Sequence, residues 1–183
     1  MDLYVIRHTA PLVDSNICYG RLDVDLKDSL LEQKSQILES LPLPFDHVFT
    51  SPLKRCTRLA EILKLPYVID PRVLELDFGE WEGLSWAEIG KNQIDAWVAD
   101  PYNFTFPKGE NFSSLCSRVG SFLNDLRDNK ILLISHAGVI KAIHYLVNNV
   151  SINDATILKT NYGEYRHFSI EPQQNFISEY KNI

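Results

Sequence analysis

The chain has 183 residues, 45% of them hydrophobic and 23% charged, with a formal net charge of −6. That length suits one domain with a substantial core rather than two, and the acidic balance lacks the basic face of a nucleic-acid binder. An anionic small substrate stays open, because a local arginine cluster makes a positive pocket in an acidic protein. The three cysteines, Cys18, Cys56 and Cys116, are scattered with no C-x-x-C pair, which suits free thiols in a reducing compartment. The first residues lack the apolar run of a signal peptide, and no stretch reaches the length of a membrane span. The expectation is a cytoplasmic protein with no membrane partner.

Leu3 to Ile6 reads as a short buried strand that delivers Arg7, His8 and Thr9 at its end. Residues 10–29 hold Pro11, Gly20 and several Asp and Asn residues, the composition of a long loop. Residues 30–41 have the apolar spacing of a helix, ended by Pro42 and Pro44. His47–Thr50 is a second strand. Ser51-Pro52 then reads as an N-cap followed by proline at the first helical position, and the helix runs to Leu63 with Arg55 in its first turn. Tyr67–Ile69 is a third strand.

Residues 74–83 form a loop rich in acids and aromatics. Ser85 and Glu88 make a capping-box pattern for one helix through Trp86, Ile89, Ile94 and Trp97. A second loop, 100–111, carries Tyr102, Phe104 and Phe106. An amphipathic helix follows over 112–126. Ile131–Ile134 is the clearest buried strand and ends in Ser135-His136, after which 139–147 is helical. Two strand-like runs, 165–170 and 176–180, flank a turn at Pro172 and could hairpin onto one sheet edge. Strands alternating with helices predict a mainly parallel sheet covered on both faces, with residues 1–183 as a single domain.

In open α/β sheets, ligands bind beyond the carboxyl ends of the strands. Three strands deliver Arg7-His8, Arg55 and His136 to that rim. Two guanidinium forks match a phosphate or carboxylate bidentately, and the helix openings near 52 and after His136 offer further N–H donors. An unprotonated imidazole can attack phosphorus, and neighbouring arginines would hold His8 neutral. Expelling an alkoxide also needs an acid, for which Glu75, Asp77, Glu80 and Glu82 are the candidates.

Arg7-His8-Thr9, Ser51-Pro-Leu-Lys-Arg55, Glu75-Leu-Asp-Phe-Gly-Glu-Trp-Glu-Gly83, Pro107-Lys-Gly-Glu110 and Ser135-His136-Ala-Gly138 resemble, in order, the motifs of the histidine phosphatase superfamily, which includes phosphoglycerate mutases. The resemblance implies a three-layer α/β/α sandwich with a mostly parallel central sheet, phosphoglycerate mutase-like. It implies His8 as phosphorylated nucleophile, Glu75 as proton donor, and Arg7, Arg55 and His136 around the phosphate, with no cofactor and no metal. Thr9 stands where the family has glycine, adding a hydroxyl beside the nucleophile.

The stretch Cys18-Tyr-Gly-Arg-Leu-Asp-Val-Asp-Leu26 resembles the α-ribazole phosphatase branch, which implies α-ribazole 5′-phosphate as the small phosphorylated substrate. Tyr19, Trp81, Tyr102, Phe104 and Phe106 are the rings available to wall its flat base. The readings that stand beside it are a broad-specificity or sugar-phosphate phosphatase, a phosphoglycerate mutase, and a non-catalytic phosphate-binding module. Asp23-Val-Asp25 has the spacing of a magnesium-dependent aspartyl phosphatase but no buried strand before it. No cysteine has an arginine six residues on, Gly90-Lys91-Asn92 lacks P-loop spacing, and His47, His144 and His167 have no metal-ligand partner at useful spacing.

Overall fold

Alternation within two strands builds the middle of the molecule. In the computed structural model, which describes residues 1–27, 30–127, 129–171 and 174–176, strand β1 is Asp2–Arg7 and β4 is Lys130–Ser135. Leu3 and Val5 of β1, with Ile131 and Leu133 of β4, enter one core cluster. Ile6, Leu132 and Ile134 point the other way into a second cluster. Both faces are therefore buried, which is why these strands read as near-continuous apolar runs. Each such buried Leu or Ile contributes about 1.5–3 kcal/mol of burial.

Among the described residues the strands form one five-stranded sheet in the order β3-β2-β4-β1-β5. β2 is His47–Thr50, β3 Val68–Ile69 and β5 Tyr165–Ser169. All pairings are parallel except β1 with β5. Helices α1 (Leu30–Ser40) and α2 (Lys54–Leu63) cover one face through Ile37, Leu41, Leu59 and Leu63. The opposite face carries the longer helices α5 (Phe112–Asp125) and α6 (Ala137–Asn148), with Leu115, Val119, Phe122, Ile140 and Ile143 inward. This is the expected three-layer sandwich.

Between those helices lie α3 (Trp86–Ile89) and α4 (Lys91–Ala99), where the sequence predicts one helix. The capping box of Ser85 and Glu88 is present. Gly90 breaks the run: its φ of 85° and ψ of 145° cannot continue a helix. The short helix α7 (Ile152–Ile157) has no counterpart in the sequence reading. Ser51 is not an N-cap either; Leu53 takes that position without a side-chain cap bond. Of the predicted closing hairpin, the first strand is β5. Phe176 lies in a turn, while 177–180 and Pro172 lie outside the described residues.

Candidate active site

Strand register brings the site together. Arg7 pairs with Ser135 across β1 and β4, and Thr50 pairs with Ile134 across β2 and β4. The next residue on each strand is then His8, His136 or Ser51, side by side on one rim. Backbone bonds extend the ladder by one step: His8 N–H to the Ser135 carbonyl and Ser51 N–H to the Ile134 carbonyl, each 3.0 Å. The His8 and His136 ring centroids are 5.3 Å apart.

His8 is buried, and its Nδ1 donates to the Thr9 carbonyl at 2.7 Å. That bond places the proton on Nδ1 and leaves the Nε2 lone pair free to act as a nucleophile. Burial lowers the His8 pKa to about 3; the Arg55 and Arg7 charges push the same way, and the Thr9 bond only partly opposes them. The imidazole is neutral throughout the ordinary pH range. Beside it, Arg7 Nη1 donates to the Thr160 carbonyl at 2.8 Å, while Arg7 Nε and Thr9 Oγ1 are buried without a hydrogen-bond partner among the described residues. Each orphan costs about 1–3 kcal/mol in a closed interior.

Arg55 and His136 form the wall behind His8, each with no exposed surface. Arg55 Nε donates to His136 Nδ1 at 3.3 Å, Nη1 to the Leu22 carbonyl at 2.9 Å, and Nη2 to the Gly20 carbonyl. With Nδ1 accepting, His136 carries its proton on Nε2 and donates to Ser51 Oγ at 2.7 Å. Cys56 Sγ is 3.6 Å from the same Nε2. Burial, followed by the charge of Arg55, holds His136 far below the ordinary histidine range. Ser51 is thus part of the site's support. The Ser-Pro pattern points to a cap, but the register of β2 against β4 aims the hydroxyl at His136.

Of the four acids in the 75–82 loop, three have partners away from His8. Asp77 pairs with Arg21 at 3.1 Å and Glu80 with Lys108 at 2.6 Å. Glu82 accepts the backbone N–H groups of Arg21, Leu22 and Phe78. Glu75 lines the cavity that contains Arg7 and His8. Its Oε1 accepts from Leu76 N–H at 2.9 Å and Oε2 from Gly138 N–H at 3.1 Å. Gly138 is obligatory for this approach, since a Cβ there would lie 2.3 Å from Glu75 Oε1.

At each helix opening expected to offer N–H groups, one is met from within the chain. Gly138 N–H goes to Glu75, and Lys54 N–H goes to Asp23 at 2.8 Å, because a carboxylate is stabilised at a helix N-terminus. Asp23 thereby loses its resemblance to an aspartyl nucleophile, and Asp25 pairs with Arg58 at 2.9 Å. Among the described residues, no group of three or more His, Cys, Asp or Glu could hold a metal ion, and no helix is long and apolar enough to cross a membrane.

The cavity in front of His8 encloses about 610 Å³ and is walled mainly by apolar and aromatic side chains. Of the rings expected to wall it, Tyr19 does, whereas Trp81 and Phe106 are buried in the core with Tyr102 and Phe104 packed against it. Phe78, Trp86, Trp97 and Phe112 take the wall instead. Trp86 and Trp97 stack at an interplanar angle of 10°. Two polar residues were not legible in the sequence. Lys141, one turn after Gly138 on α6, lines the cavity beside Glu75, and burial lowers its pKa despite the opposing pull of Glu75. Tyr162 lies with its ring centroid 3.8 Å from Arg7 Cζ, and its hydroxyl meets that of Tyr19 at 2.7 Å. Burial and that bond raise the Tyr19 pKa above its usual value, so the hydroxyl stays protonated.

A buried neutral histidine beside an unspent arginine fork, closed behind by a second arginine–histidine pair, suits a phosphoryl group. The chain belongs to the histidine phosphatase superfamily (branch 1), whose pattern matches residues 3–183. A candidate phosphoserine phosphatase 2 of Hydrogenobacter thermophilus is 29% identical over 164 residues, covering 83% of this chain and 81% of that protein. A phosphoglycerate mutase structure from Thermus thermophilus superposes with a TM-score of 0.76 at 25% identity, over 91% of this chain and 92% of that one. A candidate alpha-ribazole-5′-P phosphatase from Escherichia coli gives a TM-score of 0.79 at 24% identity, over 91% and 89%.

Proposed function

We propose that the protein is a metal-independent phosphomonoesterase acting through a phosphohistidine on His8, and that its substrate is α-ribazole 5′-phosphate. His8 Nε2 attacks phosphorus as the ester P–O bond breaks. Arg7 and Arg55 stabilise the charge on the transferring group, with His136 held behind them, and Glu75 gives its proton to the departing alkoxide. Glu75 then takes a proton from the water that attacks phosphohistidine. That step releases phosphate and restores both residues.

The observation that carries the substrate reading is the wall of the cavity. A sugar phosphate would meet mostly apolar surface there, whereas a flat apolar base finds Phe78, Trp86, Trp97 and Phe112. The rim continues in the same character, since Val98 and Ile157 line it and are 68% and 72% exposed. Lys141, Asn153 and Thr156 supply polar groups for ribose hydroxyls.

Aromatic stacking contributes about 1–3 kcal/mol per base, so kcat/KM for α-ribazole 5′-phosphate should exceed that for ribose 5-phosphate by roughly ten-fold or more. Rapid-quench turnover of the labelled ester should also leave acid-labile, alkali-stable label on His8, absent from His8→Ala. Equal kcat/KM for the two ribosyl phosphates, or a higher value for phosphoserine or 3-phosphoglycerate, would sink the substrate assignment. Full activity in His8→Ala would sink the mechanism.

A further inference from the structure

Tyr162 sits outside every motif, yet it lies against Arg7, near His8, and bonds Tyr19. It belongs to the segment before β5, and two backbone bonds tie that segment to the nucleophile strand. Arg7 N–H donates to the Glu164 carbonyl, and Gly163 N–H donates to the Arg7 carbonyl, both at 3.0 Å. The same segment supplies the Thr160 carbonyl that accepts from Arg7 Nη1. With Nη1 occupied, the edge of the guanidinium left for a bidentate anion is the one carrying Nε and Nη2. Nε is the atom found buried and without a partner among the described residues.

The Tyr162 ring lies against that guanidinium, its centroid 3.8 Å from Cζ and 5.6 Å from the His8 ring centroid. Tyr162 is 40% exposed, so burial alone does not hold the ring in place. The ring rests on the Arg7 guanidinium, and its hydroxyl also bonds that of Tyr19 at 2.7 Å. Tyr19 comes from the long loop between β1 and α1, and its ring centroid is 5.4 Å from Arg55 Cζ. One tyrosine thus faces each arginine of the site, and the two are joined at their tips.

We propose that Tyr162 is a positioning residue for Arg7. Its ring face fixes the guanidinium with the Nε edge toward the phosphoryl group, and its hydroxyl bond to Tyr19 adds a smaller contribution. This rests on the phosphoryl-transfer reading of the site. A planar fork is useful only when its orientation is held, because two parallel N–H bonds need the anion in one plane. Removing the face that stacks on it frees a torsion that the Thr160 bond alone does not stop.

The test uses Tyr162→Phe, Tyr162→Leu and Tyr19→Phe, with p-nitrophenyl phosphate as substrate and inorganic phosphate as competitive inhibitor. A cation–π contact between the exposed and the fully desolvated limits is of the size that changes an equilibrium roughly ten-fold. Tyr162→Leu should therefore weaken phosphate inhibition and lower kcat/KM by roughly ten-fold each. Tyr162→Phe keeps the ring and should lose less than about three-fold, a fraction of that contact. Because the two hydroxyls share one bond, the double Phe variant should be no worse than the poorer single one. The dependence of rate on leaving group should be unchanged in all of them, since Glu75 is untouched.

The proposal is overturned if folded Tyr162→Leu binds phosphate and turns over like wild type, or if Phe and Leu lose equally. It is also overturned if the loss appears in the leaving-group dependence instead of phosphate binding. Arg7→Ala separates the two levels of argument. If it matters and Tyr162→Leu does not, only the role of Tyr162 fails. If Arg7→Ala itself leaves phosphate binding intact, the reading of the site fails with it.

Discussion

His8 and His136 make stability depend on pH in a way that can be worked out from their burial. In the unfolded chain each titrates near 6.5; folded, His8 is held at about 3 and His136 is also far below its ordinary value. The folded state therefore binds fewer protons than the unfolded state once pH falls below 6.5. Stability conferred by the neutral rings is present above that pH and is lost as pH falls toward the folded value. Between pH 7 and 5, a histidine with pKa 6.5 unfolded and well below 5 folded costs about 2 kcal/mol, from RT ln of the ratio of unfolded binding polynomials. For His8 alone that is a sizeable share of an ordinary domain's roughly 5–15 kcal/mol, and His136 acts in the same direction. The figure requires only that the native His8 pKa lie below the window. Urea unfolding at pH 7, 6 and 5 measures it, and His8→Gln should recover about 2 kcal/mol of the pH-dependent loss while His144, also held low by partial burial, cancels in the comparison. An unchanged pH slope in His8→Gln would refute the reasoning, because it would mean that His8 is protonated in the folded protein.

Two further outcomes concern the chemistry. Glu75→Gln keeps the shape of the side chain but removes its proton and leaves one oxygen for the N–H groups of Leu76 and Gly138, so turnover of alkyl phosphates should fall by roughly 10²-fold or more, with p-nitrophenyl phosphate much less affected; equal losses on both would move the acid elsewhere. Activity should survive exhaustive chelation, whereas Arg55→Ala should cost on the order of 10²–10³ in rate, the scale of one lost preorganised electrostatic donor. Loss in chelator with recovery on adding Mg²⁺ would overturn the metal-independent mechanism.

Most of the fold was legible because the strands that carry the site are buried on both faces and short. Ile131–Ile134 and Leu3–Ile6 read as strands without ambiguity, and their last residues locate the rim. The failures share a cause. Ser51-Pro52 is a good local helix start, and only the register of β2 against β4 shows that its hydroxyl faces His136 instead. Trp81 and Phe106 look available because they sit in loops, but a loop lying on the sheet must bury its own rings, and the cavity wall falls to Trp86 and Trp97 on α3 and α4. The sequence pattern gives those two to a single helix, and the turn at Gly90 that separates them is a backbone event with only one glycine to announce it. Tyr162 and Lys141 arrive from elements distant in sequence, so no spacing rule could place them beside Arg7 and Glu75.

Nor could the sequence say which arginines are left without a carboxylate, and this is the property that sets the site apart. Arg21, Arg58, Arg72, Arg118 and Arg166 each have an Asp or Glu partner. Arg7 and Arg55 are hydrogen-bonded only to carbonyls and a neutral imidazole among the described residues. Arg127 is similarly served by carbonyls, but it is exposed and water can solvate it. A guanidinium removed from water with no counter-ion is costly, and truncating or pairing it would relieve that cost. Here Arg55 retains that cost in full and the half-buried Arg7 retains part of it, both close to one neutral histidine, and on the proposed reading a phosphate dianion would relieve both. On the mechanism proposed, the same uncompensated charge that lowers the stability of the empty site would give it affinity for a phosphoryl group.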